Sequence, residues 1–110
     1  MRVRLLKKST IEKYARNNAR SKTPLTQWHK NLRQADWEEP NGILNTYPSA
    51  DLLGNGSDRV VFNIAGNNYR MICKYWFTDT SVHLYIKWLG THAEYDELCR
   101  KNRQYTVQDY

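Results

Sequence analysis

The stretch RVVFNIAGNNYRMICKYWFTDTSVHLYIKWL, residues 59–89, decides the fold. Three runs within it, Arg59–Ile64, Tyr69–Phe77 and Val82–Leu89, are rich in β-branched and aromatic residues that suit a pleated, half-buried surface. Ala65-Gly66-Asn67-Asn68 and Thr78-Asp79-Thr80-Ser81 separate them, and both have hairpin-turn composition. A three-strand antiparallel meander is expected. Side chains alternate faces along a strand, so one face collects Val60, Phe62, Ile64, Met71, Cys73, Tyr75, Phe77, Val82, Leu84, Ile86 and Trp88. The other collects Arg59, Asn63, Arg70, Lys74, His83, Tyr85 and Lys87, with Val61, Ile72 and Trp76 among them. The first face is expected to pack beneath helices, and the second to present cations and rings.

Upstream of the meander, Met1 to Leu6 is expected to form a strand. Ser9-Thr10-Ile11-Glu12 has the hydroxyl-to-glutamate spacing of a capping box, which predicts a helix to about Asn18. Thr23-Pro24 marks a second helix start, and Leu25, Trp28, Leu32 and Ala35 follow at helical spacing as one buried stripe. Lys22, Lys30 and Arg33 lie off that stripe. Trp37 to Gly56 reads as a long connection with turns at Asn41-Gly42 and Asn55-Gly56, pinned to the core by Tyr47-Pro48 and Leu52-Leu53. Downstream, Thr91-His92-Ala93-Glu94 matches a second capping box, opening a helix to about Arg100. Residues 102–110 lack apolar periodicity and are expected to form a flexible tail after a single domain spanning 1–101. The fold class is α+β, a small, mostly antiparallel sheet with helices packed on one face.

A chain of 110 residues has material for one core. Its mean hydropathy of −0.84 and the lack of an apolar run near the roughly 20 residues of a bilayer span argue against a membrane protein. The opening residues lack the apolar centre of a secretory signal, so the cytoplasm is the expected compartment. Cys73 and Cys99 have neither metal-ligand spacing nor the number for a disulfide framework. There is no close acidic set for Mg²⁺ and no glycine-rich phosphate loop, so neither metal nor cofactor is expected. Charge is more telling. The net charge is +6, and residues 1–35 hold ten Lys or Arg against one acid, Glu12, which suggests an acidic partner.

A basic, aromatic sheet face suits RNA, because cations neutralise phosphates and rings stack on unpaired bases. Arg59, Asn63, Lys74, Tyr85 and Lys87 are the candidate RNA-binding residues. Arg70 is the favoured phosphate clamp, since a planar guanidinium matches the charge of a pentacoordinate phosphorus. Arg70 and Lys74 are about 13 Å apart at strand rise, so they cannot grip one oxygen. His92 and Tyr95, three apart at a helix start, bring an imidazole and a phenol onto neighbouring positions of one face. Each also has a plain structural role open to it: His92 as a cap, Tyr95 as core, and the cations as a solvated surface.

The segments at Val60–Ile72 and Gly90–Asp96 resemble two motifs, "VFNIxGNxYRLI" and "GTHxEYD", of the HigB-type toxins in the RelE/ParE superfamily. The likeness extends over most of residues 1–100. It implies a RelE-like, microbial-RNase-type fold and metal-free cleavage of mRNA at the translating ribosome, by attack of the RNA 2′-hydroxyl on its own phosphate. Arg70, His92 and Tyr95 match motif positions. The resemblance implies transition-state charge stabilisation for Arg70, and proton transfer or base stacking for His92 or Tyr95. It further implies a HigA-like antitoxin with a helix-turn-helix, whose complex with the toxin binds operator DNA. The superfamily fold also hosts ParE-like gyrase poisons, and a non-catalytic RNA-binding module is a third alternative.

Overall fold

A computed structural model describes residues 1–110. The expected meander forms the centre of a five-stranded sheet in the order β1 (Val3–Leu6), β5 (Val82–Thr91), β4 (Tyr69–Phe77), β3 (Arg59–Ile64) and β2 (Asp51–Leu53). Strands β3 (Arg59–Ile64), β4 (Tyr69–Phe77) and β5 (Val82–Thr91) pair antiparallel. Strand β1 (Val3–Leu6) lies parallel to β5, with Val3 opposite Val82 and Leu6 opposite Tyr85. The connection 37–56 is more ordered than expected. It holds a short helix α3 (Ile43–Thr46) and an edge strand β2 (Asp51–Leu53) paired with β3. Tyr47 anchors it as expected: its hydroxyl donates to Trp28 O at 2.7 Å, and its ring lies 4.9 Å from that of Phe62.

Helices α1 (Lys8–Asn17) and α2 (Lys22–Leu32) cover one sheet face. Ile11, Leu25, Trp28 and Leu32 meet Val60, Phe62, Ile64, Met71, Cys73, Val82, Leu84 and Ile86 in the main core. The predicted starts of both helices need correction. Lys7 takes a left-handed conformation (φ 64°) straight after β1, so α1 begins before Ser9 can cap it. A 3₁₀ turn at Ala19–Ser21 runs into α2, leaving Thr23 and Pro24 inside its first turn, where proline's missing N–H is not needed.

The alternation of β5 breaks at Lys87. Cys73 pairs with Ile86 and Ile72 with Trp88, so Lys87 is the extra residue of a bulge. A bulge re-aims the side chains beyond it. Trp88, expected on the main-core face, therefore turns to the opposite face, and Leu89 takes its place in the core.

That opposite face carries its own small core: Val61, Ile72 and Trp88 under Leu98 of α4 (His92–Arg100) and Val107. Helices thus lie on both faces, α1 and α2 on one and α4 on the other. The segment expected to be a loose tail is also packed. Gln104 and Val107 are buried, and Arg59 Nη1 donates to Val107 O at 2.7 Å and to Gln104 O at 3.3 Å. Asp109 N–H donates to Lys87 O at 2.9 Å, beyond the end of β1. Apolar periodicity is no guide here, because backbone carbonyls and the single buried Val107, rather than a hydrophobic stripe, make the attachment.

Candidate active site and sheet face

Arg70 sits on β4, opposite Asn63 of β3 and Gly90 of β5. It is only 9% exposed, and two donors hold its plane: Nη1 to Tyr69 O at 3.1 Å and Nη2 to Asn67 Oδ1 at 3.2 Å. Of the five guanidinium N–H groups, three are left for a ligand. Asn67 belongs to the tight turn between β3 and β4, where Ala65 and Gly66 both adopt positive φ. The next residue, Asn68, accepts the His92 backbone N–H through its carbonyl at 3.1 Å. One turn therefore orients Arg70 and fixes the start of α4.

Helix α4 begins as its sequence predicts. Glu94 N–H donates to Thr91 Oγ1 at 3.2 Å, and Thr91 N–H donates to Glu94 Oε1 at 2.7 Å. Gly90 just before it allows a close approach: a Cβ there would stand 2.6 Å from the Trp88 ring. The His92 side chain is 46% exposed, with Nδ1 3.5 Å from Asp96 Oδ1. Tyr95 is half-buried, 6.1 Å from the Trp88 ring between centroids. Burial pushes its phenol pKa up, aided by a hydrogen bond with Cys99 and by Asp51, while Arg70 pulls the other way. The phenol thus stays protonated near neutrality and suits donation better than proton abstraction.

The remaining expected residues divide. Lys74 is exposed past the middle of β4, four residues from Arg70 and about 13 Å away at strand rise. It lines an open cleft of about 440 Å³ with Asp58, Tyr75, Trp76, Tyr85 and Lys87. Lys87 Nζ lies 5.6 Å from the Tyr85 ring centroid. Its pKa is drawn down by burial first, then by Arg59, Lys7 and Lys74. Arg59 and Asn63 are otherwise engaged. Arg59 is 4% exposed beneath the carbonyls of residues 104 and 107, and Asn63 Nδ2 donates to Ser49 O at 3.3 Å. No three His, Cys, Asp or Glu side chains cluster as metal ligands would. No helix is long and apolar enough to cross a membrane.

The model of a family described as HigB toxin, the RelE-like toxic component of a toxin–antitoxin system, matches residues 21–98. The chain belongs to the HigB toxin family. The match takes in α2, the whole meander and most of α4, and so every residue of the candidate site. Among curated relatives, the mRNA interferase HigB of Escherichia coli O6:H1 is 25% identical over 100 residues, covering 91% of this chain and 95% of its own length. The mRNA interferase toxin HigB of Escherichia coli K12 is 29% identical over 89 residues, covering 81% of this chain and 80% of its own length. The mRNA interferase HigB of Shigella flexneri matches to the same extent, at 29% over 89 residues.

In this HigB-family toxin, Asn67 and Asn68 of one turn link Arg70 to His92, and Tyr95 follows one helical turn after His92 on α4. Lys74, Tyr85 and Lys87 do not join them, because Ile72, Trp88, Leu98 and Val107 form an apolar island between. Sequence reasoning missed two supporting residues. Asp96 had a visible signal, its i,i+4 spacing from His92 on a helix. Asn67 matched the N of the quoted hairpin motif, but its contact with Arg70 depends on the hairpin geometry and is not read from spacing.

Proposed function

We propose that this HigB-family toxin is an endoribonuclease that cleaves translated mRNA on the ribosome and so arrests growth. The single observation that carries the site assignment is the Asn67-Asn68 turn, which holds Arg70 with one residue and the start of α4 with the next. The names of the curated relatives support mRNA as the substrate. In the proposed reaction the RNA 2′-oxygen bonds to the adjacent phosphorus as its proton leaves. The bond from phosphorus to the 5′-oxygen of the next nucleotide then breaks. The products are a 2′,3′-cyclic phosphate and a free 5′-hydroxyl, and no metal is needed. Arg70 stabilises the charge on the pentacoordinate phosphorus with its free N–H groups. His92, exposed and beside Asp96, exchanges the proton, and Tyr95 donates a hydrogen bond or the second proton. Lys74, Tyr85 and Lys87 contact the RNA outside the reacting phosphate, while Arg59 and Asn63 support the face from beneath. The partner is a HigA-like helix-turn-helix antitoxin, and operator DNA is bound only by the toxin–antitoxin complex, in the cytoplasm.

Inducible expression with primer extension on cellular mRNA tests this reading. New 5′ ends are expected with the native chain. Arg70→Ala should lower cleavage about 10²–10³-fold, the usual cost of one transition-state donor. The variant should keep its thermal transition, and loss of that transition would give Arg70 a structural role instead. Growth arrest with intact mRNA and damaged DNA would overturn the nuclease reading in favour of a gyrase poison.

A further inference from the structure

Beyond the apolar island, the same sheet face carries a second set of groups that the proposed chemistry does not use. Strand register places them in rows. Arg4 of β1, His83 of β5 and Trp76 of β4 form one row; Tyr85 and Lys74 lie in the next. Trp76 is 60% exposed, the one large hydrophobic side chain of the protein left so open. A lone exposed indole needs no explanation. This one begins a ladder of rings: Trp76 and His83 meet edge to face at 6.1 Å, and His83 and Tyr85 at 6.5 Å. Cations border the ladder. Arg4, Lys7, Lys74 and Lys87 make no ion pair, and Asp58 is the only carboxylate lining the cleft. The depressed pKa of Lys87, caused by burial and then by three positive neighbours, reflects the same unmatched charge.

We propose that this cleft is a stacking site for unpaired RNA nucleotides, with bases on Trp76 and Tyr85 and phosphates on Lys74 and Lys87. The inference rests on the nuclease reading in taking RNA as the ligand, and assigns that substrate a second contact away from the cut. Several observations favour nucleotides over other anions. Charge alone would serve an acidic peptide, whereas an open indole beside further rings offers the flat surfaces on which bases stack. Paired RNA hides its base faces, so the segment held must be single-stranded. The separation of about 13 Å from Arg70 leaves room for unpaired nucleotides between the cut and the cleft. The toxin would then need an unpaired stretch on one side of the scissile bond.

The test uses the full chain and a short fluorescein-labelled 2′-O-methyl oligoribonucleotide, which cannot be cut because its 2′-oxygens are blocked. Fluorescence anisotropy reads binding independently of catalysis. Trp76→Ala should weaken binding roughly 5- to 150-fold, as expected for one lost base stack, and Trp76→Phe should restore most of it. Lys74→Ala and Lys87→Ala should each lower the slope of log affinity against log salt by about one. Because the probe is inert, these outcomes hold even if no cleavage is ever found, and an inactive Arg70→Ala chain should still bind it. Unchanged affinity in Trp76→Ala, with the thermal transition intact, would overturn the proposal. So would equal binding of a fully paired duplex, or a Trp76→Ala defect confined to antitoxin binding, which would make the cleft a protein-docking surface.

Discussion

The two ends of one sheet face, built from the same strands, are treated in opposite ways. At one end Arg70 is nearly buried, and the turn that holds it also fixes α4. Tyr95 is half-buried beside Trp88, and Gly90 lets that indole lie against the strand. At the other end Lys74 and Trp76 stand in solvent with no ion pair and no covering helix. The difference matches the two tasks proposed for them. Bond-making chemistry needs groups fixed within fractions of an ångström and partly shielded from water. Binding a flexible polyanion needs charge and ring surface, which work while mobile. The apolar island of Val61, Ile72, Trp88, Leu98 and Val107 separates the two and braces only the first.

Three substitutions probe this contrast. The largest effect is expected at His92. His92→Gln should slow cleavage by about 10²–10⁴-fold, the range for loss of one proton-transfer group, while RNA affinity changes far less. Equal losses in both would erase the distinction between a reacting end and a holding end. Arg59→Met comes next. It removes two hydrogen bonds from a charged donor to the carbonyls of Gln104 and Val107, and should cost about 1.5–3 kcal/mol in chemical denaturation. The segment 102–110 should also become more sensitive to protease. Unchanged protection would show that the island holds without this clasp. Gly90→Ala should have the smallest effect, about 1–3 kcal/mol, because the added methyl group meets the Trp88 ring at 2.6 Å and forces it aside. Near-ultraviolet circular dichroism of the displaced indole would report it, and a native spectrum with native stability would remove Gly90 from the account of the ordered end.

Sequence made the meander legible because strict alternation, β-branched runs and two polar turns all point to one structure. The Thr91–Glu94 capping box was legible for the same reason, being local chemistry with local bonds. The similar Ser9–Glu12 spacing misled, since the exit of the chain from β1 through a left-handed Lys7 set the start of α1 first. Trp88 could not be assigned to its face from alternation, because the bulge at Lys87 changes parity without altering composition. The attachment of residues 104–109 was invisible as well, because it rests on main-chain acceptors common to every residue and on one buried valine rather than on a periodic stripe. In the candidate site, Arg70, His92 and Tyr95 stood out by residue type and motif. Arg59 read as a surface cation, and only the path of the C-terminal segment reveals that it is spent on a buried clasp.

The parallel pairing of β1 with β5 has a consequence for how this chain is born. Residues 3–6 leave the ribosome early, yet their hydrogen-bonding neighbours are residues 82–85, so the first strand waits for the last. His92 and Tyr95 emerge later still, on the helix that follows. A nascent chain short of that helix carries the guanidinium of Arg70 but neither of those two side chains, so the candidate site is assembled only once residues 92–100 have been made.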